Sequence, residues 1–76
     1  MITGEEIKSR LSETIKLSGK TQTEIANKLN IYQSAVQQYV SGKTMPALDT
    51  FANLCVVLDV DPADILGTKS KPKDGN

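Results

Sequence analysis

The sequence predicts an all-α fold: one compact domain of five short helices. Three kinds of observation predict it. Apolar residues fall at spacings of three and four in successive stretches, as in Ile7, Leu11 and Ile15. Two Thr-x-x-Glu boxes, Thr3 to Glu6 and Thr21 to Glu24, mark helix starts. Gly19, Asn30, Gly42 and Gly67, residues that tolerate positive φ, close the stretches that follow. A chain of 76 residues builds one small apolar core, marginal without staples. The single cysteine, Cys55, permits no intrachain disulfide, and the absence of His removes the usual zinc-finger ligand sets, so no metal or cofactor is expected. A lone thiol agrees with a reducing cytoplasm. No apolar run reaches about 18 residues, so no membrane span is expected. The N-terminus lacks the basic-then-apolar pattern of a signal peptide.

The elements follow in order. The first helix is expected from about Gly4 to Ser18, with Glu5 and Glu6 at the positive end of its dipole and Gly19 as its stop. The second runs from Gln22 to about Leu29 and turns Ile25, Ala26 and Leu29 inward. Asn30 makes the turn and Ile31 enters the core across it. Tyr32 takes the cap position of the third helix, where Ser or Thr would hold the end better. That helix, about Gln33 to Ser41, turns Val36, Tyr39 and Val40 inward and ends at Gly42. A loop from Gly42 to Pro46 leads to the fourth helix. Its inward face is expected to be Leu48, Phe51, Ala52, Cys55 and Leu58, with Leu54 at the edge and Val56 and Val57 off the face. Asp61 caps and Pro62 opens a short fifth helix, whose Ile65 and Leu66 close the core before Gly67. The domain thus spans residues 1–67, and 68–76 (TKSKPKDGN) is expected to be a disordered basic tail.

The second and third helices with their tight turn are the part that carries function. Opposite its apolar stripe the third helix shows Gln33, Ser34, Gln37, Gln38 and Ser41, with no charge and no large apolar group. A row of amides and hydroxyls suits the reading of base edges, because Gln donates and accepts at once and matches adenine N6 and N7 in the major groove. This is the layout of a helix-turn-helix DNA reader. A net charge of zero argues mildly against nucleic acid, but the charges are segregated. Between Lys16 and Thr44, four lysines face one glutamate, a surplus of three; between Leu48 and Gly67, four aspartates stand with no Lys or Arg, a balance of −4.

The residues Thr21-Gln22, Ile25-Ala26, Ile31, Val36, Ser41-Gly42-Lys43 with Pro46, Leu48-Asp49-Thr50 through Leu58, Val60 and Leu66 together resemble the lambda-repressor-like, Cro/CI-type (XRE) helix-turn-helix family over about Glu6 to Gly67. The resemblance implies the compact five-helix lambda-repressor-like domain with its helix-turn-helix at helices 2 and 3. It implies that Gln22 bonds a DNA phosphate, that Gln33, Ser34, Gln37 and Gln38 face the major groove, and that Lys43 with the amides of the Gly42–Thr44 loop clamps a phosphate. Lys20, Thr44 and Tyr32 join the expected backbone contacts; for Tyr32 a thymine methyl, or a ring lying on helix 2, are open alternatives. Departures from the family pattern are Asn30 for the usual turn Gly, Ala47 for a capping Ser, and an apolar pair, Ile15 and Val40, where some relatives place a buried Arg–Glu bridge.

The leading expectation is therefore a sequence-specific regulator of transcription on double-stranded DNA, a repressor of bacterial or phage type, working in the cytoplasm as a homodimer on a palindrome. Val56, Val57, Val60 and Pro62 are the candidate dimer surface, against the alternative that Val56 and Val57 are scattered surface residues. The second expectation is an antitoxin or other protein-interaction module on the same scaffold, which the acidic fourth and fifth helices favour. An enzyme is not expected: there is no His and no glycine-rich phosphate loop, Cys55 falls on a core-facing position, and the carboxylates serve as caps. No small-molecule ligand and no membrane partner is indicated.

Overall fold

The computed structural model describes residues 1–68 and contains five α-helices: α1 (Gly4–Leu17), α2 (Gln22–Leu29), α3 (Gln33–Ser41), α4 (Leu48–Leu58) and α5 (Pro62–Leu66). The all-α fold and the five-helix arrangement are as expected. Of the expected tail only Thr68 lies within the described residues.

Local chemistry sets each boundary. Both capping boxes form: the Glu6 amide donates to Thr3 Oγ1 at 3.2 Å while Glu6 Oε1 accepts from the Thr3 amide at 3.1 Å, and Glu24 and Thr21 make the same exchange at 3.0 and 3.4 Å. Helix α1 ends at Leu17, one residue short of expectation, because Ser18 caps it; Gly19 follows at φ +78. Asn30 adopts the left-handed conformation (φ 57, ψ 45) at the end of α2. Asp59 does the same after α4 at φ 58, a role the sequence reading did not assign. Neither Tyr32 nor Ala47 supplies a side-chain cap, whereas Asp61 accepts from the Ala63 amide at 3.0 Å.

The core joins Leu11 and Ile15 of α1 to Ile25 and Ala26 of α2, Val36 and Tyr39 of α3, and Ile65 of α5, with Val40, Leu29 and Ile31 half-buried around them. Ile15 is buried in this core and Val40 packs against it, and no charged side chain is buried among the described residues. Helix α3 packs on both α1 and α2, α2 also on α4, and α1 also on α5.

Helix α4 differs from expectation in phase. Its buried stripe is Phe51, Leu54, Cys55 and Leu58, with Leu54 fully buried rather than at an edge. Leu48 is 82% exposed and Ala52 is exposed as well, so neither faces the core. The 51-54-55-58 spacing centres the stripe, and Ala52 stands about a hundred degrees away at 100° per residue. Pro46, not Leu48, is the buried residue at that end of the helix.

Two ties hold α1 to distant segments. Arg10 donates from Nε to the Ile65 carbonyl at 2.6 Å and from Nη2 to the Leu66 carbonyl at 3.2 Å, closing α5 over α1. Ser12 Oγ donates to the Val40 carbonyl at 2.5 Å, linking α1 to α3.

Candidate nucleic-acid interface

Helix α3 is presented by its two neighbours. Val36 and Tyr39 anchor it in the core, and the opposite face, Gln33, Ser34, Gln37, Gln38 and Ser41, is exposed throughout. Among the described residues no hydrogen bond engages the Gln33 or Gln37 amide groups, which leaves both free to meet a ligand. The face holds no charge, so its recognition chemistry is that of amides and hydroxyls.

The N-terminal end of α3 is open. Its first turn contains no carboxylate and Tyr32 gives it no side-chain cap, so the positive end of the helix dipole faces outward. Tyr32 is 84% exposed, which excludes the ring packed on α2 and leaves the phenol free beside Gln33. Gln22 sits half-buried at the first position of α2, and Lys20 is half-buried just before it, its amide donating to Ser18 Oγ at 3.1 Å.

The C-terminal end of α3 is closed by its own backbone. Gly42 at φ +77 lets its amide donate to the Tyr39 carbonyl at 3.2 Å, and the Lys43 amide donates to the Gln38 carbonyl at 3.0 Å. Two of the loop amides expected to clamp a phosphate, those of Gly42 and Lys43, are thus used inside the chain, and the side chains of Lys43 and Thr44 are exposed at this end. Thr44 Oγ1 in turn donates to Gln38 Oε1 at 3.1 Å, so a residue expected at the backbone and one expected at a base edge touch each other. Sequence reasoning missed this contact.

The same backbone closure ends α2 and α4: Ile31 donates to the Ala26 carbonyl and Val60 to the Cys55 carbonyl, each at 3.0 Å. After α2 and α4 the residue that follows the left-handed position is apolar and packs on the core (Ile31, Val60). After α3 it is Lys43, which is exposed. A cation is therefore held by a rigid cap beside the amide face.

The candidate dimer residues lie on another part of the molecule. Val56 is 78% exposed, Pro62 exposed, and Val57 and Val60 half-buried. Ala52, Val56, Val60 and Pro62 line one shallow depression together with Cys55, Asp59 and Asp61. With Leu48 they make a four-residue spacing, 48-52-56, along the outer side of α4; Leu48 and Ala52 were placed inside by sequence. Burial pushes the Cys55 thiol above its ordinary value, and the charge of Asp61 adds to the shift. No group of metal-ligating side chains occurs among the described residues, and no helix among them is long and apolar enough to cross a membrane.

A family model described as helix-turn-helix matches residues 11–65. Among solved structures the chain is similar to the restriction-modification controller protein C.AhdI from Aeromonas hydrophila, at 22% identity and TM-score 0.68, over 82% of this chain and 94% of that one. It is also similar to the SOS-response transcriptional repressor LexA from Eubacterium rectale, at 20% identity and TM-score 0.72, over 91% of this chain and 71% of that one. No curated protein matches the sequence.

Proposed function

Because the chain belongs to the helix-turn-helix family of the Cro/CI type, we propose that it is a DNA-binding transcriptional regulator that reads double-stranded DNA with α3. The observation that carries this reading is the exposed row Gln33, Ser34, Gln37 and Gln38 on a helix whose other side is locked in the core. Inserted in a major groove, such a row favours sites containing A·T pairs over the guanine contacts that Arg would make. Lys43 and the Thr44 backbone amide at the C-terminal end of α3, Tyr32 at its N-terminal end, and Gln22 and Lys20 at the start of α2 supply the backbone contacts that set its register. The finer reading is a repressor that binds a palindrome as a homodimer. One recognition helix covers too few base pairs for genomic selectivity. The outer side of α4, from Leu48 through Val56 to Val60 and Pro62, offers the apolar surface for a two-fold partner.

Selection from a random duplex pool tests the reading. Enrichment of a site with two inverted halves about one helical turn apart supports the dimeric regulator. Failure to enrich any sequence at low salt refutes it.

The second reading, an antitoxin or protein-interaction module, is favoured by the four aspartates and no Lys or Arg between Leu48 and Gly67. A salt titration separates the two. A DNA reader loses affinity steeply as salt rises, whereas an interaction module shows little affinity for any duplex even at low salt.

A further inference from the structure

We propose that Thr44 is a positioning residue for Gln38, setting the base preference of α3 without touching a base itself; this rests on the DNA-reading function above. Three residues beyond Gln38 fold back onto it. The Lys43 amide and Ser41 Oγ donate to its carbonyl at 3.0 and 3.1 Å, and Thr44 Oγ1 donates to its side-chain Oε1 at 3.1 Å. Gly42, left-handed at φ +77, makes that reversal possible. The cap fixes the backbone of residues 42 and 43, so Thr44 is delivered to Gln38 by structure that exists in any case. Closing the last bond costs chiefly the rotamers of Gln38. Among the described residues of this face, Gln33 and Gln37 have no such partner.

The chemistry of the held amide follows. With the Thr44 hydroxyl on one lone pair of Oε1, Gln38 keeps one acceptor site and both N–H donors of Nε2. That donor–acceptor pair is the complement of adenine N7 and N6. An unrestrained glutamine must be ordered when it binds, and it can turn its amide over to suit another base. The Thr44 bond orders Gln38 before DNA arrives, which removes that cost and keeps one of its two faces toward the groove.

Two measurements test this. In the free protein, side-chain relaxation of the Gln38 Nε2 group by NMR should show an amide more ordered than that of Gln37, and Thr44→Val should lower it to the Gln37 level while Thr44→Ser keeps it ordered. Binding is then measured on the selected site and on duplexes changed at each base pair. Thr44→Val should lose roughly 2- to 10-fold in affinity, confined to duplexes that carry the pair Gln38 reads. Thr44→Ser should restore it, and in a Gln38→Ala background Thr44→Val should have no effect. An equally mobile Gln38 amide in wild type and Thr44→Val overturns the inference, as does a Thr44→Val loss that is the same for every duplex and adds to that of Gln38→Ala. An ordered Gln38 in a protein that selects no duplex refutes the DNA reading, and the positioning role falls with it.

Discussion

Replacing Arg10 by Met removes the guanidinium but keeps most of the stem that lies along α1. The wild-type side chain donates to the Ile65 and Leu66 carbonyls at 2.6 and 3.2 Å. Hydrogen bonds that involve a charged group contribute roughly 1.5–3 kcal/mol net. This pair is only half-buried, and the freed carbonyls at the end of α5 can take water, so about 2 kcal/mol for both bonds together is the working figure. A chain of 76 residues is stable by about 4–11 kcal/mol. The loss is therefore between a fifth and a half of the total. At about 4–8 °C per kcal/mol for a domain of this size, the midpoint should fall by roughly 8–16 °C in a circular-dichroism melt. Arg10→Lys keeps the charge but not the fork, and should recover about half of the loss. Gly67→Ala should resemble Arg10→Met, because a Cβ there meets Arg10 Nη2 at 2.6 Å and the backbone sits at φ +79. A midpoint for Arg10→Met within 2–3 °C of wild type, roughly half a kcal/mol, would refute the claim that α5 is held by these bonds rather than by Ile65 alone.

Gln33→Ala should relax preference at one base pair of the selected site at a cost of about 1–3 kcal/mol there; equal losses on all duplexes would remove it from base reading. Lys43→Ala should weaken binding to every sequence alike and reduce the log–log salt slope by about 0.9, and a loss restricted to one sequence contradicts a phosphate contact. Val56→Asp sets a charge in the middle of the exposed α4 stripe and should convert dimers to monomers in sedimentation; an unchanged mass discards that surface. Cys55 predicts a pH effect of definite sign. Its folded value lies above the ordinary 9.0, so the native state keeps a proton that the unfolded chain releases. The corresponding stability is fully present below about pH 9 and declines as pH rises from there through the folded value. Urea titrations of wild type and Cys55→Ala between pH 7 and 10.5 should converge as this advantage disappears, and parallel curves would show that the thiol does not contribute it.

The helix-turn-helix was legible because its signals are local. The capping box at Thr21 fixes where α2 starts, Asn30 fixes where it stops, and Gly42 ends α3, each within a few residues of what it controls. Helix α4 was misphased for the opposite reason. Leu48, Phe51, Ala52, Leu54, Cys55, Val56, Val57 and Leu58 surround most of its circumference, and a helix apolar on nearly every side carries little periodic information. Tertiary packing, including that of α2 against it, decides that Leu54 goes in and Leu48 stays out. The Arg10 ties span 55 and 56 residues and have no local signature at all.

The candidate interface divides along the same line. That Gln33, Ser34, Gln37 and Gln38 share an outward face follows from the helical period. What happens at the end of α3 does not, because it depends on a reversal at Gly42 that brings Lys43 and Thr44 back over Gln38. The four left-handed caps make the point physically. One backbone motif closes α2, α3, α4 and α5, with Asn30, Gly42, Asp59 and Gly67 in the left-handed position. Its hydrophobic contact is kept where the next residue is Ile31 or Val60 and is given up where it is Lys43 or Thr68. At α2 and α4 the motif serves packing. At α3 that apolar contact is replaced by an exposed cation and a hydroxyl locked to a glutamine, on the one helix whose free face is all amide and hydroxyl. Because the cap of α5 is likewise followed by an exposed polar residue, Thr68, the loss of the apolar contact alone is not what sets α3 apart; its distinction is the cation at position 43 and the Thr44 hydroxyl on Gln38 beside a face of amides and hydroxyls.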